Sequence, residues 1–132
     1  MNRSLFLTIV AAIATIIGSI CLFTPEMLIV EVKHAIPSSA ANVMARTVGI
    51  LLVSIAILNF LVRNHEDSQT IKAILKANLV LQLGIMPIDP LAYAYGIYAT
   101  TSSFLPNTIL HILLAAGFTY FILRMEPLQQ KI

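Results

Sequence analysis

Charge is what this sequence has least of. Only 11% of its residues are Asp, Glu, Lys or Arg, against about 25% in an ordinary soluble domain. Meanwhile 58% are hydrophobic and the mean hydropathy is +0.90, which places the chain in the membrane class. Basic blocks are missing as well. A net charge of +2 from dispersed lysines and arginines gives nucleic acid nothing to bind, so no nucleic-acid partner is expected. There is one cysteine, Cys21, inside an apolar run. Alone it forms neither an internal disulfide nor a C-x-x-C relay, and it reads as a small hydrophobe. No second His or Cys stands at ligand spacing from His111, while His34 and His65 fall in loops. Neither a zinc site nor a bis-histidine haem is supported, and no metal or other cofactor is expected. Nucleophilic catalysis needs a hydroxyl or thiol beside a base. Thr108, one turn from His111, is an unspecific example of that spacing, and the inventory leans away from an enzyme.

What the chain does have is length in apolar helix formers. At about 20 residues per crossing, apolar segments over 4–24, 39–63, 68–98 and 104–125 predict one domain, 1–132, with four spanning helices. The expected fold is an all-α integral membrane four-helix bundle of up-down-up-down order. Thr8, Thr15 and Ser19, with Ala11, Ala12 and Gly18 nearby, form a small-residue stripe suited to close packing on the first helix. Pro25 ends that helix. Residues 25–40 fit either a short interfacial helix or an extended loop, and the alternation Val30-Glu31-Val32-Lys33 does not decide between them. Ser38 and Ser39 can cap the second helix, Asp67 or Ser68 the third. Pro87 and Pro90 remove backbone donors and kink the third helix near 87–90, a break tolerated where protein covers the freed carbonyls. Tyr93, Tyr95 and Tyr98 read as an interfacial belt. Arg3, Arg63, Lys72, Lys76, Arg124 and Lys131 fall on one side, and Lys33 with Arg46 on the other. The positive-inside rule then puts both termini in the cytoplasm of a bacterial inner membrane.

Polar groups inside such segments are costly and mark pairs or sites. Arg46 lies about seven residues into the second helix, or ~10 Å deep. His111 lies equally deep in the fourth helix, and Asp89 sits about nine residues below Tyr98 on the third. Asn78, Gln82 and Asp89 share one helical face, so the stripe ends at Asp89. The predicted polar cluster is Arg46, Asp89, His111, Gln82 and Asn78. It has two readings. In one, Arg46 and Asp89 form a structural salt bridge between helices two and three. In the other, Arg46 holds a small anionic or lipid-like ligand in a pocket shaped by Asp89 and His111. A proton relay has less to recommend it, since the inner half supplies no further acid.

Ala45-Arg46-x-x-Gly49 opening the second helix, the polar turn over 63–68, and His111 with Gly117-Phe118-x-Tyr120-Phe121 make the chain resemble a widespread group of small bacterial four-helix membrane proteins of unknown function. The resemblance implies a four-helix inner-membrane architecture and importance for Arg46 and His111. It implies no activity. The first functional expectation is a non-catalytic accessory or structural subunit, partnered by the bilayer and by a second copy or a larger membrane complex. The alternative is a binder or carrier of the small anionic or lipid-like ligand.

Overall fold

The computed structural model describes residues 2–125, so the predicted tail over 126–132 and its Lys131 lie outside the described residues. The described residues are mostly helical and hold no strand: α1 (Arg3–Phe23), α2 (Ser39–Val62), α3 (Gln69–Ile85), α4 (Ile88–Ala94) and α5 (Leu105–Arg124). Counting α3 and α4 as one broken span over Gln69–Ala94, four helices are long and apolar enough to cross a membrane.

Local chemistry sets most of the boundaries. Asn2 caps α1 by accepting from the Leu5 amide at 2.8 Å, Ser38 caps α2 through Ala41, and Ser68 caps α3 through Ile71, each satisfying an orphan amide of a first turn. The residues after Pro25 are neither wholly helical nor wholly extended. Met27–Val32 forms a π-helical turn, Lys33 donating to Leu28 O and Ala35 to Ile29 O, and the chain then runs out to an extended Ser38. The Val30–Lys33 alternation makes no strand because, among the described residues, no second strand lies beside it. Pro87 breaks the third span as its missing amide requires, α3 ending at Ile85 and α4 starting at Ile88. Gly96, with φ of 73°, closes α4. Its amide bonds Tyr93 O and that of Ile97 bonds Ala92 O, the paired bonds of a Schellman motif that needs a left-handed residue. Pro106 sits in the first turn of α5, where its lost donor was unpaired anyway.

The bundle is built as two pairs, α1 along α2 and α3 along α5. In the first pair, Gly18 and Gly49 face each other. A Cβ on Gly49 would stand 2.7 Å from Gly18 O and 2.8 Å from Leu22 N, so only glycine lets the backbones approach this closely. The pairs join through Phe6, Leu7 and Val10 of α1, Ile71 and Leu75 of α3, and Phe118 and Phe121 of α5. The Phe6 ring meets Phe118 edge-on at 5.0 Å, in space that Gly117 leaves open. This core fills the end of the bundle where Arg3 pairs with Asp67. The other end, where the α1–α2 connection meets α4 and the start of α5, is held by polar contacts. Large aliphatic side chains such as Ile16, Leu61 and Leu123 face outward, 61%, 64% and 79% exposed.

The two kinds of glycine should separate by experiment. Gly49→Leu is expected to cost about 1–3 kcal/mol through overpacking, and Gly84→Ala, whose added Cβ meets nothing within 4 Å, to gain about 0.4–1 kcal/mol. Thermal unfolding in detergent measures both, and a Gly49→Leu protein as stable as the parent would refute the close crossing.

Candidate functional site

The centre of the polar end is the Asp89 carboxylate, in the first turn of α4 and only 8% exposed. An isolated buried carboxylate is prohibitively costly unless donors surround it. Three converge here. Lys33 Nζ forms an ion pair with Oδ2, Asn107 Nδ2 donates to Oδ2 at 2.8 Å, and Tyr98 Oη donates to Oδ1 at 3.2 Å. Each arrives by a different local device. The π-helical turn delivers Lys33, the Gly96 reversal brings Tyr98 back over α4, and the first turns of α5 present Asn107. Lys33 Nζ also lies 5.2 Å from the centre of the Tyr98 ring, a cation–π distance. Burial, then the Asp89 charge and hydrogen bond, push the Tyr98 phenol up to about 12.

Deeper in the bundle, His111 Nδ1 donates to Gln82 Oε1 at 2.6 Å, tying α5 to α3. Deeper still, Asn59 and Asn78 exchange two amide hydrogen bonds of 3.0 and 3.1 Å, and Asn78 adds a third to Ile74 O. This pair links α2 to α3 with no charge and no exposed polar atom on Asn59, which is 0% exposed. Among the described residues no three His, Cys, Asp or Glu side chains converge as metal ligands would.

Between the Asp89 cluster and the asparagine pair lies a cavity of about 210 Å³. Its walls are aliphatic, including Val10, Leu52, Ile85 and Leu114 from α1, α2, α3 and α5, and its polar lining is Lys33, Asp89, Asn107, His111, Gln82 and Asn78. For scale, a dry engineered cavity of about 150 Å³ holds benzene.

Four of the five residues expected in a polar cluster therefore share one cavity: Asp89, His111, Gln82 and Asn78. Arg46 does not join them. It is exposed, and among the described residues Asp89 takes Lys33 as its cation. The expected Arg46–Asp89 bridge is corrected by register. Gly49 meets Gly18 and Leu22, so in an antiparallel pair Arg46, one turn earlier on α2, stands level with the last turn of α1. Depth counted from the start of α2 overstated its burial, because α2 projects past the end of α1. Moreover α2 packs along α1 and not along α3. Sequence reading missed Lys33, Asn107 and Tyr98 as partners. One signal was present: Lys33 is the other cation on Asp89's side of the chain.

Compared with protein-family models, with curated proteins and with solved structures, the chain matches none.

Removing the carboxylate should leave a half-buried lysine without its partner. Asp89→Ala is expected to cost about 3–5 kcal/mol, whereas Arg46→Gln should change stability by no more than about 0.5 kcal/mol. Denaturation in detergent measures both, and the reverse ranking would make Arg46 the true partner. The raised Tyr98 value favours the neutral phenol in the fold, so its contribution is complete below the ordinary value of 10.0 and is lost as pH climbs towards 12. Ultraviolet titration should contain a step near pH 12 that Tyr98→Phe abolishes and Asp89→Asn moves down. A titration curve unchanged by Tyr98→Phe would refute it.

Proposed function

We propose that this chain is a four-span protein of the bacterial inner membrane, both termini cytoplasmic, that binds a small amphipathic ligand. The apolar part of the ligand occupies the cavity between the helix pairs, and its head meets the Asp89 cluster. The observation carrying this reading is the cavity itself: aliphatic on the walls drawn from all four long helices and polar at one end. A few convergent polar groups in an apolar hollow are the usual form of a small-molecule site. A purely structural cluster would need no such space.

The charge balance selects the head group. Lys33 is neutralised by Asp89, and Arg46 stands outside the cluster. Among the described residues a net anion would find no free cation there, so the ligand is lipid-like with an uncharged hydrogen-bonding head, such as a carbonyl or hydroxyl, instead of an anion. His111, Gln82 and Asn107 are the groups able to exchange bonds with it. At about 210 Å³ the cavity takes the head and the first few carbons, the remainder lying among acyl chains.

The orientation rests on Arg3, Arg63, Lys72, Lys76 and Arg124 at one end of the spans against Lys33 and Arg46 at the other. The Asp89 end then faces the outer leaflet. A second reading, a self-associating or accessory subunit, draws on the apolar groove of about 490 Å³ between α1 and α2, bordered by Ala12, Thr15, Ile57 and Leu61, since small residues allow close approach of another helix.

Untargeted mass spectrometry of the protein purified in mild detergent should recover one near-stoichiometric, uncharged amphipathic species. The cavity-filling Leu114→Phe variant should lose that species while remaining folded, and Arg46→Gln should keep it. A preparation with no such species, or one that Leu114→Phe leaves undiminished, rejects the ligand site. A label reaching residue 101 only from the cytoplasm, in a Thr101→Cys variant, would overturn the orientation.

A further inference from the structure

At the opposite end of the bundle from the cavity, three arginines border one hollow of about 360 Å³. Arg3 comes from the first turn of α1, Arg63 follows α2 directly, and Arg124 closes α5. Among the described residues the acid lining this hollow is Asp67, which is already paired with Arg3. Among the described residues lining it, the guanidinium charges of Arg63 and Arg124 are left over. In the Asp89 cluster one cation meets one acid; the lining of this hollow is not balanced in that way.

The two surplus groups are held in place. The Arg63 guanidinium lies 3.5 Å over the Phe60 ring and that of Arg124 lies 4.8 Å over Tyr120. Stacking fixes the guanidinium plane while leaving N–H edges for bidentate contact with an oxyanion. Arg63 also donates to Phe60 O, which fixes it further. Arg3 lines the hollow with its terminal nitrogens held by Asp67 and the His65 carbonyl, and its buried Nε has no hydrogen-bond partner among the described residues. Arginines that merely anchor a span end point separately into the headgroups; these three line a single concavity.

We propose that this hollow binds the phosphate of an anionic phospholipid. Free phosphate shares that chemistry. The position favours the lipid, because Leu61 and Leu123, one turn or less inside Arg63 and Arg124, are 64% and 79% exposed and offer acyl chains an apolar track. Basic pockets among helix ends on the cytoplasmic side suit anionic headgroups in general. The inference rests on the reading of the chain as membrane-spanning, but not on the ligand of the cavity, which lies at the other end and calls for an uncharged head.

The test is native mass spectrometry of the full chain in a neutral detergent, with phosphatidylglycerol or phosphatidylcholine of the same acyl chains, and with inorganic phosphate alone. Phosphatidylglycerol should be retained about fivefold or more over phosphatidylcholine, and Arg63→Gln or Arg124→Gln should each lower its retention about fivefold. Added salt should weaken it. Arg63→Lys, which keeps the charge and loses the fork, should retain an intermediate amount, providing a comparison that does not depend on losing a charge. Displacement of phosphatidylglycerol by inorganic phosphate supports a phosphate site whose natural source includes solution. Equal retention of the two lipids with no effect of phosphate overturns the proposal. So does a phosphatidylglycerol preference that survives both glutamine substitutions together.

Discussion

A carboxylate placed among apolar helices must be surrounded by donors, and Asp89 sets that demand for one whole end of this protein. Its solution draws on four separate pieces of chain. The proline break ends α3 and starts α4 with the carboxylate directed inward, Gly96 reverses the chain so that Tyr98 returns, α5 begins with Asn107 in reach, and a π-helical turn carries Lys33 across. Removing the lysine alone would leave an unpaired buried anion, which costs more than the pair itself contributes. The connection after α1, otherwise an unpatterned stretch, is therefore fixed at its far end by a charge.

The two ends of the bundle solve opposite problems. At the Arg3 end, Phe6, Phe118 and Phe121 interlock around Leu7, Ile71 and Leu75 in a close-packed core, and the arginine hollow opens outside it. At the Asp89 end, polar groups with fixed bond lengths and directions replace that interlocking. Between that cluster and the asparagine pair a cavity of about 210 Å³ stays open. The helix pairs are held together in between by the asparagine pair, which binds α2 to α3 without burying a charge. The aliphatic hollow with its balanced polar end carries the proposal of an amphipathic guest, and the surplus of arginine at the other end carries that of a phosphate.

Much of this was legible in the residues. The apolar lengths gave four long helices, Ser38 and Ser68 marked the starts of two of them, and Pro87 and Pro90 located the break in the third span. Gly18 was read as a close-packing residue, and the structure supplies its partner in Gly49. The spacing of Asn78, Gln82 and Asp89 identifies one polar face, and all three line the cavity with His111, which lies deeper than Asp89 instead of level with Arg46. Arg46 and Lys33 were not legible as they stand. Counting residues measures distance along one helix, but which helix lies beside it, and where that neighbour ends, depends on the register between elements. The Gly18–Gly49 contact sets that register, and it leaves Arg46 at the rim. Lys33 was hidden for another reason: its segment carries no period by which a direction could be assigned.

The sequence by itself determined the class of object. Apolar runs of crossing length, their caps and their proline punctuation depend on neighbours within a few residues, and those neighbours are fixed by the chain. Only the tertiary structure decided which cation answers Asp89, that the helices associate as α1 with α2 and α3 with α5, and that space remains between the pairs. Those outcomes depend on the relative positions of residues 33, 89, 98 and 107, and no local preference encodes a distance across 56 residues of chain, as between Lys33 and Asp89. Packing and charge neutralisation, acting between elements, set it instead.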